Sequence, residues 1–229
     1  MLESLKAQFD SIVVFDTETT GILCRKDEII ELGIMQAAFG AEQPVPEKER
    51  DLLVRLSEAR HLPDFIVNLT GITDEMLRTE GVSKQTLCDV LVEYLSAPRV
   101  LLVAYNAQFD LCFLYYFLRQ FGQEGVLRNV RMLDAMTVYK DRRDYPHKLK
   151  DAVAAYALQT QNTHRAVDDA KATLELLYAM AAEKDDLDRY INLFGYNPKY
   201  GVSGPRISSV RYCPQSYDRT RPLYEKAEL

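Results

Sequence analysis

The sequence predicts an α/β fold with a central mixed sheet flanked by helices, and two features of its patterning support that prediction. Near the start of the chain, apolar segments rich in Ile and Val follow one another closely, which is typical of antiparallel strands. Further along, apolar segments alternate with stretches whose apolar residues recur at helical spacing, which favours parallel strands with helical crossovers. With 229 residues and 47% hydrophobic content, the chain can bury a sizeable core.

Three strands are predicted one after another near the N-terminus. The first contains the apolar run Ile12, Val13 and Val14, and Gly21 marks the turn that follows it. Because short turns connect such strands, we expect antiparallel pairing between neighbours. The predicted strands span residues 11–15, 28–39 and 51–56.

Helices and two further strands are predicted after this meander, at 100–104 and 130–133. Thr73 and Ser83 are predicted N-caps, since their hydroxyls can accept a hydrogen bond from the first helical turn. Asn106 and Asp134 are predicted to cap the helices after the fourth and fifth strands. The predicted helices span residues 63–68, 73–78, 83–96, 107–120, 134–139, 148–156 and 166–183.

A change in composition after Lys184 predicts a boundary there. We expect residues 1–184 to form one domain, and residues 185–229 to form a C-terminal extension that either packs on the domain or forms a basic tail. From Arg189 onward the chain has seven Lys or Arg residues against three Asp or Glu residues. The extension is therefore basic on an acidic protein.

Within the extension, a short amphipathic helix is predicted around residues 190–194 and a strand over 207–212. Turn-forming residues are concentrated between these segments. The basic side chains of the extension either guide nucleic acid or form a solvated surface. They include Arg206, Arg211, Arg219 and Arg221.

The bulk properties exclude several classes of protein. No stretch reaches the ~18 consecutive apolar residues of a membrane span, and the first residues lack the layout of a secretory signal. The cysteines are scattered without metal-binding spacing, so structural zinc is not expected. Reduced thiols in a cytoplasmic protein are the simplest interpretation. The cysteines are Cys24, Cys88, Cys112 and Cys213.

The net charge of −6 does not indicate a protein that grips long nucleic acid through many phosphates. It does not exclude nucleic acid either, because an enzyme that holds only a strand end needs few phosphate contacts. Acids gathered in one site would also account for several of these charges, and bound divalent cations would cancel them.

Carboxylates follow or flank apolar segments at three separated places. Asp16 and Glu18 follow the first strand, Asp110 begins the helix after the fourth strand, and Asp169 begins the longest helix. Asp16 and Glu18 are two residues apart, so on an extended chain their side chains face the same side. Clustered acids in apolar surroundings are costly unless a cation binds them, and carboxylates suit Mg²⁺ and Mn²⁺. The pattern indicates metal-dependent phosphodiester chemistry.

These residues belong to motifs that occur in a fixed order. The chain resembles the DEDDh (DnaQ-like) group of 3′–5′ exonucleases, the family of RNase T and of the proofreading subunit of bacterial DNA polymerase III, from residue 11 to about 184. The resemblance implies a ribonuclease H-like, three-layer α/β sandwich with a five-stranded sheet. The motifs are Phe-Asp-Thr-Glu-Thr-Thr-Gly at 15–21, Asp-Glu-Ile-Ile-Glu-Leu-Gly at 27–33, Leu-Thr-Gly-Ile-Thr at 69–73, Asn-Ala-Gln-Phe-Asp at 106–110 and His-Arg-Ala-Val-Asp-Asp at 164–169.

The resemblance also implies a role for each matching residue. His164 would be the general base, because an imidazole can accept a proton near neutral pH. The backbone of Thr17 would receive the terminal 3′-hydroxyl, Ile22 would pack on the last base, and Asn106 would contact the substrate. The ligands of two divalent cations, Mg²⁺ or Mn²⁺, would be Asp16, Glu18, Asp110 and Asp169.

Two positions leave a question for the structure. The family spacing places the metal ligand five residues after His164, which selects Asp169; Asp168 would then point about 100° away on the helix. The family often has His before the Asn of its second motif, and Tyr105 stands there in this chain.

The implied reaction is hydrolysis from a 3′ end by a two-metal mechanism, with release of 5′-mononucleotides. DNA is the leading substrate, in proofreading or repair, with a polymerase subunit as a possible partner. A 3′–5′ exoribonuclease is the alternative, because only contacts with the 2′-hydroxyl would separate the two. A third hypothesis is an inactive domain that binds nucleic-acid ends or a polymerase.

Overall fold

The structure is a computed structural model that describes residues 2–39, 46–128, 130–160, 163–216 and 220–227. The strands of its main sheet are β1 Ser11–Thr19, β2 Ile29–Ala38, β3 Pro46–Leu53, β4 Val100–Ala104 and β5 Arg131–Asp134. Their order across the sheet is β3-β2-β1-β4-β5. β2 is antiparallel to both β1 and β3, whereas β1, β4 and β5 run parallel. The predicted α/β fold with a mixed five-stranded sheet is confirmed.

The helices cover both faces of this sheet. Thr73 and Ser83 act as N-caps as predicted, since their hydroxyls accept from the backbone N–H groups three residues further on. None of the helices in the described ranges has the length and apolar character needed to cross a membrane. In chain order they are α1 Glu3–Lys6, α2 Asp64–Thr70, α3 Asp74–Thr79, α4 Lys84–Leu95, α5 Ala107–Arg119, α6 Ala135–Arg142, α7 Leu149–Ala155, α8 Ala166–Glu183 and α9 Leu223–Ala227.

Side chains of β1 alternate between two separate cores, as the pleat of a strand requires. Ile12 and Val14 pack in the core beneath α8, and Val13 and Phe15 pack in the core beneath α4 and α5. A layer of helices thus lies on each side of the sheet. The carboxyl ends of β1 and β4 emerge between these layers.

A glycine on β2 allows α8 to approach the sheet closely. Gly33 lies opposite Asp16 in the β1–β2 register. A Cβ atom at Gly33 would lie 2.2 Å from the carbonyl carbon of Ala166 and 2.3 Å from the backbone nitrogen of Val167. Because glycine has no side chain, the first turn of α8 can rest on β2 beside the end of β1.

Asn106 does not cap α5 with its side chain, contrary to the prediction. Its backbone is in the left-handed region, with φ of 66°. The carboxylate of Asp134 instead accepts hydrogen bonds from the backbone nitrogens of Asn106 at 3.0 Å and Ala107 at 3.2 Å. It also accepts from the backbone nitrogen of Met136 at 3.2 Å, so the predicted cap of α6 is confirmed. One buried carboxylate therefore holds the starts of two helices.

The described part of the C-terminal extension lies against β5 and α6. Strands β6 Leu193–Tyr196 and β7 Arg211–Pro214 pair in parallel. The backbone nitrogen of Gly195 donates to Thr137 Oγ1 at 2.9 Å, and the Gln215 amide donates to the Thr137 carbonyl at 2.8 Å. These contacts tie the extension to α6.

Two expectations for the extension were wrong. The predicted helix at 190–194 is replaced by a 3₁₀ turn, Leu187–Tyr190, and by β6, because Asn192 is left-handed with φ of 56° and exchanges hydrogen bonds with Met132 of β5. The strand predicted at 207–212 is shifted to β7. Among the basic residues, Arg206 lies over the ring of Tyr212, while Arg219 lies outside the described residues.

Candidate active site

Asp16 and Glu18 lie on one face of β1, near its carboxyl end. Both side chains are half-buried, and the intervening Thr17 is buried on the opposite face. The register pairs Glu18 with Glu31 of β2, which brings a third carboxyl group close. A two-residue repeat on an extended strand accounts for this arrangement.

Asp110 lies in the first turn of α5, and its carboxylate is close enough to Asp16 and Glu18 to raise the pKa of both. Its side chain is 2% exposed, and its Oδ1 accepts from the backbone nitrogen of Thr17 at 3.1 Å and from the Thr17 hydroxyl at 2.6 Å. Both hydrogen bonds from Thr17 go to Oδ1, so Thr17 orients the Asp110 carboxylate without engaging its Oδ2.

Asp169 reaches the same place from the first turn of α8, where it is buried, whereas Asp168 is half-exposed. The backbone nitrogen of Thr163 donates to Asp169 Oδ1 at 3.2 Å, and the Thr163 hydroxyl donates to Asp168 Oδ2 at 2.7 Å. The structure thus turns Asp169, and not Asp168, toward the other acids. Asp168 helps to hold the turn before the helix.

His164 is exposed at the edge of this group. One ligand atom each from His164, Glu18 and Asp169 lie within 4.8 Å of one another. The backbone at His164 is left-handed, with φ of 59°, a conformation that costs a non-glycine residue of order 1–3 kcal/mol. This strained backbone conformation places the imidazole of His164 next to Glu18 and Asp169.

Burial and mutual repulsion raise the pKa of every acid in this group for which a shift is resolved. The pKa of Asp16 is raised well above its usual value, first by burial and then by Asp110, Asp169, Glu18 and Glu31. Burial, and after it the charges of Asp169, Glu31 and Asp110, raise the pKa of Glu18 to about 8, with Arg165 opposing the shift. Burial raises the pKa of Asp110 to about 7 against the hydrogen bonds from Thr17. A set of carboxylate oxygens held close together in this way fits hard divalent ions.

An ion pair between a fully buried carboxylate and a half-buried guanidinium adjoins these acids, and the sequence analysis missed it. Glu31 is fully buried and accepts from Arg165 Nε at 2.7 Å, from Arg165 Nη2 at 2.6 Å and from the backbone nitrogen of Ala166 at 2.9 Å. The pair joins β2 to the residue that follows His164. The available signal was that both residues lie inside recognised motifs, at 27–33 and 164–169.

An apolar cavity of about 600 Å³ opens beside the acids. Ile22 and Leu23 on its rim are 81% and 54% exposed, which is unusual for large apolar side chains. Phe109 and Phe113 of α5 line another side, and the segment 203–205 of the extension closes it. The cavity has the size and apolar character to receive a nucleobase.

The side chains of Tyr105 and Asn106 lie in different surroundings. Tyr105 is buried in the core beneath α8, and its hydroxyl donates to the carbonyl oxygen of His147 at 2.8 Å. The side chain of Asn106 is exposed and lines a second, smaller cavity. Replacement of the family's His by Tyr therefore fills the core behind the site.

Comparison with known proteins adds a family and several relatives. The sequence model of the exonuclease family (RNase_T) matches residues 13–177. The PolC-type DNA polymerase III of Clostridium perfringens is 33% identical over 185 residues, which cover 78% of this chain and 12% of that protein. The DNA polymerase III subunit epsilon of Treponema pallidum is 28% identical over 179 residues, covering 75% of this chain and 77% of that protein. This chain thus spans about an eighth of the length of the PolC-type relatives that it matches.

Solved structures share the fold at lower identity. E. coli exonuclease I in complex with a dA16 oligonucleotide superposes with a TM-score of 0.70 at 17% identity, covering 79% of this chain and 42% of that one. An exonuclease I from Methylocaldum szegediense gives a TM-score of 0.65, also at 17% identity and 79% coverage of this chain. These likenesses concern the fold alone.

Proposed function

The chain belongs to the DEDDh exonuclease family, and on that premise we propose that it hydrolyses phosphodiester bonds from the 3′ end of DNA. The products are 5′-mononucleotides. One observation carries the proposal: carboxylates from β1, α5 and α8 meet in one group, in which burial and repulsion raise the pKa of Asp16 and Glu18 and burial raises the pKa of Asp110. A structural role does not require such a costly arrangement, whereas a site for divalent cations does.

Asp16, Glu18, Asp110 and Asp169 would hold two divalent cations, Mg²⁺ or Mn²⁺. When bound, such ions supply an activated water and stabilise the charge of the departing 3′ oxygen. Thr17 keeps the Asp110 carboxylate in one orientation. The fully buried Glu31 holds Arg165, so that the turn carrying His164 and the first turn of α8 stay against the sheet.

His164 would take the proton of the attacking water. Its side chain is exposed and near Glu18 and Asp169, so the imidazole can reach a water at the cations and pass the proton to solvent. The backbone of Thr17 would receive the terminal 3′-hydroxyl. Asn106 would contact the strand beyond the terminal nucleotide.

The apolar cavity supports a role in holding the terminal base. Ile22 and Leu23 are exposed on its rim, and Phe109 lies one residue before Asp110. Packing a base against these side chains removes apolar surface from water, at about 25 cal/mol per Å² buried. We place the 3′ base there because the cavity lies beside the carboxylates.

DNA is the proposed substrate, and proofreading or repair the proposed setting. The relatives named as DNA polymerase III proteins and the oligodeoxynucleotide complex of E. coli exonuclease I support this choice. A polymerase subunit is the partner that these relatives suggest. The proposed domain spans residues 1–184 and the proposed extension residues 185–229, and hydrogen bonds from Gly195 and Gln215 to Thr137 support packing of the extension on the domain.

Digestion of 5′-labelled single-stranded DNA and RNA of equal sequence tests the proposal, with Mg²⁺, Mn²⁺ or EDTA. We expect a ladder that shortens from the 3′ end of DNA with either metal and disappears in EDTA. A preference for RNA would replace DNA with the exoribonuclease alternative. No cleavage of either polymer under any metal would refute an enzymatic function and leave a binding domain.

A further inference from the structure

A second cavity of about 120 Å³ lies beside the candidate active site, at the carboxyl ends of β4 and β5. Asn106, Asp134 and Lys140 line it from the domain, and Asn197, Gly201 and Ser203 line it from the extension. β5 is two strands away from β1 in the sheet. At the usual strand spacing, the cavity is therefore roughly 10 Å from the acidic group.

Lys140 enters this cavity without a partner. Its side chain is half-buried, and it forms no hydrogen bond or ion pair within the described residues. Burial lowers the pKa of Lys140, and the field of Asp134 only partly opposes this shift. A desolvated ammonium group is costly unless an anion or several acceptors lie against it.

Asp134 does not serve as that anion. Its carboxylate caps α5 and α6, and its Oδ2 also accepts from the Thr137 hydroxyl at 2.6 Å. Asp134 and Lys140 are the only charged residues among those that line the cavity. The lysine thus faces a space whose one carboxylate is engaged elsewhere.

The other polar groups of the cavity include unused donors. The side-chain amides of Asn106 and Asn197 donate no hydrogen bond within the described part of the chain, although Asn197 Oδ1 accepts from the backbone nitrogen of Lys199 at 2.9 Å. An ammonium group with neighbouring amide donors is suited to phosphate oxygens. The cavity volume of about 120 Å³ leaves room for a phosphate group.

Gln108 fixes the extension over this cavity. Its amide nitrogen donates to the carbonyl oxygens of Ser203 at 2.8 Å and Pro205 at 2.9 Å, and its Oε1 accepts from the Tyr212 hydroxyl at 2.6 Å. Gln108 also lines the apolar cavity that holds Ile22. The two cavities are therefore adjacent, and one ligand can reach both.

We propose that this cavity is a phosphate-binding subsite, in which Lys140, Asn106 and the extension hold one phosphate group. The phosphate comes either from the backbone of the nucleic-acid strand or from a free phosphate ligand. The first source rests on the proposed function; the second does not. The extension is essential to the subsite because it supplies one wall.

Chemical protection of Lys140 tests the subsite without any enzymatic reaction. The full chain is treated with a limiting amount of an amine-acylating reagent near pH 8, and acylation of each lysine is measured by mass spectrometry. We expect inorganic phosphate, in metal-free buffer at constant ionic strength, to slow acylation of Lys140 severalfold. Lys6, in the helix before the opposite end of β1, is the control and should react at an unchanged rate.

The salt dependence of oligonucleotide binding identifies the source of the phosphate. In the His164→Gln background, which slows hydrolysis, binding of single-stranded DNA is measured at several salt concentrations. Loss of one phosphate contact reduces the slope of log K against log salt by about 0.7. We expect this reduction for Lys140→Met, little change for Lys140→Arg, and none for Lys6→Met.

The outcomes separate this inference from the proposed exonuclease. Protection by phosphate with a reduced slope identifies a strand phosphate, and protection by phosphate with an unchanged slope identifies a free ligand. Phosphate protection without any binding of nucleic acid keeps the subsite and refutes the proposed substrate. Equal acylation of Lys140 with and without phosphate, in the folded wild-type chain, overturns the subsite even if DNA is degraded.

Discussion

The group of acids at the end of β1 and the cavity around Lys140 (the lysine cavity) both bury charge that neighbouring residues do not fully neutralise. The acidic group buries several negative charges, whereas the lysine cavity buries one positive charge. At the end of β1, several carboxyl groups repel one another and the nearby Arg165 is engaged by Glu31. In the cavity, a single lysine lacks an anion because Asp134 is engaged by two helix starts. The first place therefore favours divalent cations and the second favours a phosphate group.

The two places also differ in how the chain builds them. Strand ends and helix starts of the domain bring the acids together, and all of them lie within sequence motifs. The lysine cavity exists only because the extension closes over α5 and α6. We expect the acids to determine whether the protein has activity, and the cavity to determine whether it holds a phosphate group beside them.

Loss of one acid should give the largest effect. We expect Asp169→Asn to reduce exonuclease turnover to background, because one cation would lose a ligand. The same change removes repulsion from the group, so the metal-free protein should melt at an unchanged or higher temperature. A nuclease assay and a melting curve measure the two effects.

Asp168→Asn is the matched control for that experiment. Asp168 is the neighbouring acid on the same turn, half-exposed and hydrogen-bonded to the Thr163 hydroxyl. We expect its activity to stay within a few-fold of wild type. Normal turnover in Asp169→Asn together with loss in Asp168→Asn would mean that the wrong carboxylate has been assigned.

The features that the sequence predicted correctly are local ones. The apolar runs predicted β1, β2, β4 and β5, whereas the third strand, predicted at 51–56, is Pro46–Leu53 in the structure. The caps Thr73 and Ser83 precede their helices in the chain, so neither they nor these runs need tertiary information. The motifs likewise predicted which acids to examine. Because Asp16 and Glu18 are two apart on a strand, even their common face was predictable.

The features that it missed depend on contacts between distant segments. Asp134 holds the start of α5 as well as α6, so Asn106 lost the cap role that its position indicated. Glu31 lies within a strand pattern, and that local pattern does not indicate that Arg165, 134 residues later, pairs with it. The subsite around Lys140 is lined on one side by the extension, and local sequence patterns do not predict which distant residues line a cavity.

Loss of the proposed general base should give the next largest effect. We expect His164→Gln to lower the turnover rate by roughly 10²–10⁴, the usual value of a general base, without changing the Mg²⁺ concentration for half-maximal rate. A titration of rate against Mg²⁺ measures both quantities. Since His164 lies with Glu18 and Asp169, an increased Mg²⁺ requirement would instead make it a ligand.

A positioning residue should have a smaller effect. We expect Arg165→Met to raise the Mg²⁺ concentration for half-maximal rate by about 10- to 100-fold, the usual effect of a residue that orients ligands. Arg165 supplies two of the three contacts that hold Glu31 against the turn carrying His164, and only the hydrogen bond from the backbone nitrogen of Ala166 would remain. Arg165→Lys should restore part of the metal affinity. A lower melting temperature with an unchanged Mg²⁺ requirement would mean that the ion pair only stabilises the fold.

The smallest expected effect is on the free energy of unfolding. It tests whether the buried charges of the acidic group and of the lysine cavity have opposite signs. Burial and neighbouring acids raise the pKa of Glu18 from 4.5 to about 8 in the folded protein. Between these values the unfolded chain binds fewer protons than the folded one, so the free energy of unfolding falls as pH rises. This contribution to stability is complete below pH 4.5 and is lost as pH rises through 8. Asp110, whose pKa is raised to about 7, acts in the same direction.

We therefore expect the metal-free protein to melt at progressively lower temperature from about pH 5 to 8, and Mg²⁺ to reverse the loss most strongly at the high end. A cation at a hundredfold excess over its Kd adds about 2.7 kcal/mol, which corresponds to roughly 5–10 °C for a chain of this size. Glu18→Gln is the control, since it removes the titrating group and should flatten the pH dependence in EDTA. A metal-free melting temperature that rises over this range would contradict the picture of an acidic group held together against its own repulsion. Lys140→Met should leave this pH dependence unchanged, because the cavity lies two strands away and its charge has the opposite sign.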